Sequence, residues 1–205
     1  MYASKGIYNM TCYEILTKAN DIIVKNNISH RESADLFWFL AFPGFATMHE
    51  FSQVEEGYNQ RNLKKFIISY CDKPVFDYIP EDGSIFKQII GNTGRFDNKD
   101  VKGIIKKVWK SYLDWERATL SEFEQAYVDL GKTGDTAAQR HIGILVDGVH
   151  AELAKIQDYW LAYEAMGWDL PQIRGEQDTI EEKYINEIRE MHLKYPKLHH
   201  WNSAV

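Results

Sequence analysis

Apolar residues recur every three to four positions along most of the chain, and this spacing predicts long helices. Pro and Gly residues divide the pattern into four long segments and a shorter last one. We expect these helices over residues 11–41, 45–71, 99–130, 135–166 and 178–194, with Gly131 at the C-terminal cap of the third. With only five Pro and thirteen Gly residues, the chain lacks the frequent turn signals of a β-sandwich or barrel.

The first helical segment allows two interpretations. Thr11 and Glu14 form a capping-box pattern at its start. Asn27 weakens the helix in its middle, and a second capping-box pattern begins at Ser29. Residues 11–41 therefore form either one long helix or two helices with a break near Asn27.

The connection between the second and third helices is unusually long. Residues 73–99 contain many Pro, Gly, Asn and Asp residues, which favour turns. A short helix is expected over residues 86–90. A helix of the second segment's length spans about 40 Å, and an extended chain of the connection's length reaches about 85 Å. The connection can therefore run the full length of a helical bundle and let the third helix start at the far end.

These elements predict an all-α fold: a four-helix bundle with a long crossover between the second and third helices. An extra C-terminal helix follows it. We expect the bundle to occupy residues 1–167, and residues 168–205 to form an extension with one helix and a tail.

Composition and charge limit the kinds of binding partner and the cellular location that we expect for this protein. The chain has 205 residues, 44% of them hydrophobic and 14% aromatic, with a formal net charge of -6. An acidic chain without a basic cluster is not expected to bind nucleic acid. The longest apolar run, residues 36–42, is too short to span a membrane. Two cysteines and no recognisable signal peptide make a cytoplasmic location the expectation.

Three predicted helices place a glutamate inside an apolar stripe near mid-length. Glu116 interrupts the stripe of the third helix and Glu152 that of the fourth. On the second helix the centre of the buried face is polar, with Glu56 among its residues. The stripe of the third helix comprises Ile105, Trp109, Tyr112, Leu120, Phe123, Tyr127 and Leu130. That of the fourth comprises Ile142, Leu145, Val149, Ile156, Trp160 and Tyr163. The buried face of the second comprises Phe45, His49, Ser52, Asn59, Leu63, Ile67 and Tyr70.

Buried carboxylates need a partner, and these stripes carry few Lys or Arg residues. A metal ion neutralises several carboxylates at once, and carboxylate with imidazole ligands suits iron or manganese. Tyrosine hydroxyls are the alternative partners, since the chain has twelve tyrosines. Asp147 and His150 have the spacing of a carboxylate–histidine pair, but Asp147 lies opposite the stripe and His150 on its flank.

The second helix resembles that of the ferritins. Residues 44–46 read Gly-Phe-Ala and residues 53–56 read Gln-Val-Glu-Glu, where ferritins have Gly-Phe-Ala and Gln-Ala-Glu-Glu. The similarity covers about residues 12–165. It implies that Glu56 bridges two irons, and that Glu116 and Glu152 are the glutamates of the third and fourth helices.

The chain departs from the ferritin pattern at several ligand positions. Asn59 stands where the family has a histidine, and Val149 replaces a polar residue of the fourth helix. The family's first-helix glutamate corresponds to a position near Ile23 in a continuous helix, whose inward polar residues would then be Asn26, Asn27 and His30. Glu32 turns inward only if that helix is broken.

We therefore expect a ferritin-like metal-binding protein with an altered di-iron site. Iron oxidation or storage, and hence a ferroxidase-like activity, is the function that the resemblance implies, together with a homo-oligomer. Manganese, or no metal at all, is the alternative to iron. The competing functions are a metal-free structural or interaction bundle and a di-metal oxidase of an organic substrate. The candidate ligands are Glu56, Glu116, Glu152, Glu32, Asn59 and His150.

Overall fold

The computed structural model describes residues 10–77 and 100–195, and all regular structure within them is helical. Four long helices form the bundle, and two shorter ones follow. They are α1 (Cys12–Phe39), α2 (Pro43–Cys71), α3 (Val101–Thr133), α4 (Thr136–Ala165), α5 (Leu170–Gly175) and α6 (Gln177–Lys194). The predicted helix at residues 86–90 lies outside the described residues. In the part of the chain that is described, no helix is both long and apolar enough to cross a membrane.

Helix α1 is continuous, so the one-helix interpretation of residues 11–41 is confirmed. Thr11 and Glu14 form the predicted capping box: the Thr11 amide donates to Glu14 Oε2 at 2.7 Å. The asparagines in its middle do not break the helix, because their side chains bond to α2. The Asn27 amide donates to the carbonyl of Gln53 at 3.0 Å, and that of Asn26 to Glu56 Oε1 at 3.3 Å.

Helix α3 runs one turn further than its sequence pattern predicts. Gly131 lies inside the helix, and the left-handed C-cap is Gly134, with a φ of 79°. The prediction of a cap at Gly131 is therefore wrong, because both glycines can end a helix and only Gly134 adopts the positive φ. The next helix begins two residues later.

The crossover follows from which helix ends meet. Tyr70, near the end of α2, donates from its hydroxyl to Asp135 Oδ1 at 3.0 Å, just before the start of α4. Since α3 is joined to α4 by a short turn, α3 also ends at this end of the bundle. It must therefore start at the opposite end, and the chain between Cys71 and Val101 crosses the bundle's length. This confirms the predicted topology.

The core lies between the four long helices and is dominated by aromatic rings. Phe45, Trp109 and Tyr163 are at most 1% exposed and pack edge to face, with ring centroids 5.2 to 5.8 Å apart. Two residues of the predicted stripes are exposed instead, Tyr70 at 44% and Tyr127 at 42%. The Tyr70 hydroxyl bonds to Asp135, while the Tyr127 ring lies against Gly143, so both remain at the bundle surface.

The chain after α4 returns to pack against α2. Residues Leu170–Gly175 form a short helix between the predicted helices 135–166 and 178–194, because Asp169 caps it and Pro171 suits its first turn. Helix α6 contacts α2 so closely that the carbonyl oxygen of Gln177 lies 2.5 Å from where a Cβ on Gly44 would be. The division at residue 167 stays a prediction.

Candidate metal site

A small cavity of about 70 Å³ lies between the four long helices. Each helix contributes at least one residue of a type that binds metals: His30 from α1, Glu55 and Glu56 from α2, Glu116 from α3 and Glu152 from α4. Asn59 lines the same cavity. Four of the predicted site residues are thus brought together.

The carboxylate of Glu152 is paired with a lysine of its own helix. Lys155 Nζ lies 2.5 Å from Glu152 Oε2, with the two side chains 20% and 15% exposed. Ser52 donates to the other carboxylate oxygen at 3.1 Å, and the Tyr112 hydroxyl donates to the same oxygen. Burial pushes the pKa of Glu152 upward, but the charge and hydrogen bond of Lys155 bring it below its ordinary value. Glu152 is therefore an anion at neutral pH.

Glu116 is the most buried carboxyl group of the cavity, at 2% exposure. The Trp115 indole donates to its Oε1 at 2.6 Å, and His30 Nε2 lies 3.7 Å from the same oxygen. Burial, and then the charges of Glu56 and Glu152, raise the pKa of Glu116 well above its ordinary value. The interior of the cavity therefore favours the protonated form of Glu116 over its anion.

Glu56 lines the cavity from α2. Asn26 donates to it across the α1–α2 interface, and Asn59 hydrogen-bonds to it from one turn further along α2. Burial raises the pKa of Glu56 to about 8 in spite of these hydrogen bonds. Its neighbour Glu55, which also lines the cavity, has a pKa raised to about 7 by burial. Both groups exchange protons close to neutral pH.

Two buried histidines extend this polar interior. The Nδ1 atoms of His30 and His49 lie 3.0 Å apart, and both rings are 1% exposed. Burial lowers the pKa of His30 to about 4 and that of His49 well below its ordinary value. Both are therefore neutral, and one donates its Nδ1–H to the other. The rings of Tyr112 and Trp115 enclose the pair, with centroids 4.7 to 6.4 Å from those of the two imidazoles.

Two predicted ligands lie away from the cavity. Because α1 is one helix, Glu32 does not have the inward register of a broken helix, and it does not line the cavity. His150 is 57% exposed, and its Nε2 lies 3.8 Å from Glu124 Oε1 on the bundle surface. It falls on the outer side of α4, next to the buried Val149.

Lys155 is the residue that sequence reasoning missed. The stripe pattern indicates few interior cations, yet Lys155 reaches Glu152 by extending along its own helix. Its position three residues after Glu152 was the available signal. His49 was recognised as polar on the inner face of α2, but only the structure places it against His30.

The described residues do not fit a two-iron centre. Among residues 10–77 and 100–195, no three His, Cys, Asp or Glu side chains are placed to hold a metal ion. In the register that the ferritin resemblance implies, ligands would stand near Ile23, at Val149 and at Asn59, and the structure shows that Ile23 and Val149 are buried apolar residues. Of the remaining carboxylates, Glu152 is already paired with Lys155.

The fold is that of the ferritin-like four-helix bundles. The chain is similar to the bacterioferritin of Desulfovibrio desulfuricans, with a TM-score of 0.63 over 79% of this chain and 85% of that one. The two sequences are 15% identical, and the bacterioferritin structure describes a diiron site in different catalytic states. No protein-family model matches the chain. No curated protein matches it either.

Proposed function

We propose that this chain is a ferritin-like bundle that needs no interior di-iron centre and acts as a structural or interaction protein. The observation that carries the proposal is the ion pair between Lys155 and Glu152. It puts a protein cation on one of the three carboxylates that the ferritin resemblance assigns to iron.

Most of the charge in the cavity is offset without a metal. Burial favours the protonated form of Glu116, Glu152 is paired with Lys155, and His30 and His49 are neutral. Burial raises the pKa of Glu55 to about 7 and that of Glu56 to about 8, which reduces their negative charge near neutral pH. Three of the four carboxyl groups also accept a hydrogen bond from another side chain: Glu56 from Asn26, Glu116 from Trp115 and Glu152 from Ser52. A buried polar network with its partners in place is stable and favours one packing arrangement.

Metal analysis of protein purified without chelator, followed by iron(II) oxidation in air, tests this proposal. We expect far less than one iron per chain, and oxidation no faster than with the Glu116→Gln, Glu152→Gln double variant. One or two irons per chain, with oxidation that the double variant loses, would overturn it and support the ferroxidase-like activity.

A second candidate function is the binding of a single divalent ion, iron(II) or manganese(II). It is favoured by the lining of one cavity by His30, Glu56 and Glu116 from three helices, although these side chains are not placed to hold an ion as they stand and would have to move closer together to bind one. Because Glu56 and Glu116 must lose protons first, affinity would rise with pH. Calorimetric titration with manganese(II) at about pH 8, where the raised pKa of Glu56 lies, tests it. Saturable binding at one site, lost in Glu116→Gln and kept in the exposed control Glu122→Gln, would establish this function.

Self-association is part of the proposal, as the resemblance implies. Native mass spectrometry distinguishes a cage-sized particle, which the iron-storage function needs, from a small oligomer, which suits an interaction protein. A monomer at micromolar concentration would contradict the homo-oligomer.

A further inference from the structure

The two cysteines of the chain meet at one end of the bundle. Cys12 is the first residue of α1 and Cys71 is the last residue of α2. Both are free and partly buried, and their thiols hydrogen-bond to each other. Asp135, just before α4, hydrogen-bonds to the Cys12 thiol as well.

Neighbouring contacts fix this arrangement independently of the thiols. Tyr13 donates from its hydroxyl to the carbonyl of Pro74 at 2.7 Å, and Lys73 Nζ lies 4.8 Å from the centre of the Tyr13 ring. Tyr70 donates to Asp135 at 3.0 Å. Tyr13 thus anchors the Cys12 segment to the residues after Cys71, while Tyr70 anchors the Cys71 segment to Asp135, which also bonds to the Cys12 thiol.

We propose that Cys12 and Cys71 form an intramolecular disulfide when the folded protein meets a small-molecule disulfide such as oxidised glutathione. The Cys71 thiolate attacks one sulfur of the oxidant, forming a mixed disulfide and releasing one glutathione thiolate. The Cys12 thiolate then attacks the Cys71 sulfur and releases the second glutathione. Two protein thiols are oxidised, one oxidised glutathione is reduced, and the two thiol protons pass to the glutathione thiolates.

The environment of Cys12 makes the second step slow at neutral pH. Burial, together with the nearby charge of Asp135, raises the pKa of the Cys12 thiol to about 12. Asp135 accepts the thiol hydrogen bond and so favours the protonated form. Closure is therefore expected to accelerate as the pH rises, and Asp135→Asn is expected to accelerate it at a given pH.

The experiment incubates the reduced full-length chain with oxidised glutathione and follows the intact mass. The expected product is a single chain, not covalently linked to another, that has lost two hydrogens and has no free thiol. It should unfold at a higher temperature than the reduced protein, because the disulfide restricts the unfolded chain. Cys12→Ser and Cys71→Ser should each accumulate only a mixed disulfide with glutathione.

A reference reaction in urea separates folded-state proximity from chance. Once each rate is divided by the fraction of Cys12 that is thiolate in that state, the folded chain should close at least tenfold faster than the unfolded chain. Equal corrected rates, a mixed disulfide that persists on the wild-type protein even at alkaline pH, or only disulfide-linked dimers would overturn the proposal. If Asp135→Asn weakens folding, its control is Tyr70→Phe. This variant removes the hydrogen bond from Tyr70 to Asp135 but keeps the Asp135 carboxylate beside Cys12.

Discussion

The ammonium group of Lys155 lies 2.5 Å from the carboxylate of Glu152, one turn earlier on the same helix. The same group lies 5.7 Å from the ring centre of Phe51 and 5.5 Å from that of Tyr184. Lys155 therefore connects the candidate metal site on α4 to α2 and to the C-terminal helix α6. Its removal should affect both charge and packing.

Lys155→Met keeps most of the side chain's length but leaves Glu152 without its cation. Because both groups are mostly buried, we expect a loss of about 3 kcal/mol in the free energy of unfolding, as is usual when one partner of a buried pair is removed. Urea denaturation measures this. The matched control is Lys110→Met, since Lys110 forms an exposed pair with Asp114 and should cost at most about 1 kcal/mol. Equal losses in the two variants would contradict the interior role of Lys155.

The free energy of unfolding should fall as the pH rises from about 6.5 to about 8. Burial raises the pKa of Glu56 to about 8, so the folded protein binds a proton there that the unfolded chain, with an ordinary glutamate, has released. The stabilisation is complete at low pH and is lost as the pH passes the folded-state value. Glu56→Gln should reduce the fall by about 1 kcal/mol over this range, and the exposed Glu122→Gln should leave it unchanged. A stability that rises over this range would contradict the assignment.

On the acidic side the two histidines have the opposite effect. Burial lowers the pKa of His30 to about 4 and also lowers that of His49, so the unfolded chain takes up protons there before the folded one does. The contribution of the two histidines to stability should therefore fall as the pH drops from about 6.5 towards 4, in the opposite sense to that of Glu56. In a series of urea midpoints, His49→Gln should gain stability relative to the wild-type protein as the pH drops through this range, while the exposed His150→Gln should not.

Gly44→Ala should separate α6 from α2. Its Cβ would lie 2.5 Å from the Gln177 carbonyl oxygen and 2.8 Å from Ile180 Cβ, and neither atom is the end of a flexible side chain. Overpacking of this kind costs about 2 kcal/mol. Gly148→Ala is the control, because nothing lies within 4 Å of its Cβ. The exposed helical site should gain up to about 1 kcal/mol. Thermal unfolding of the two variants should thus shift in opposite directions.

Asn59→His combined with Lys155→Met should strengthen manganese(II) binding over that of the wild-type protein. The double variant supplies an imidazole one turn from Glu56 and frees the Glu152 carboxylate. Calorimetric titration compares it with each single variant. An affinity no higher than that of the wild-type chain would mean that the cavity excludes metal for another reason, such as the buried Val149.

The sequence pattern located the long helices and the carboxylates of the cavity, because both depend on helical spacing. Glu116 and Glu152 could be found in this way, since an acidic residue inside the apolar stripe of a helix must face the interior of the bundle. The continuity of α1 could not, because it depends on Asn26 and Asn27 bonding to a different helix. The reach of Lys155 and the contact between His30 and His49 depend equally on tertiary packing, which residue spacing does not encode.

The N–H of Phe45, in the first turn of α2, donates to the side-chain oxygen of Gln177 at 3.1 Å. Those residues are 132 positions apart. During synthesis α2 leaves the ribosome long before Gln177 is translated. The N–H of Phe45 can therefore form this hydrogen bond only after the next 132 residues have been made. Helix α6, the last of the described helices, therefore supplies the hydrogen bond that completes the first turn of α2.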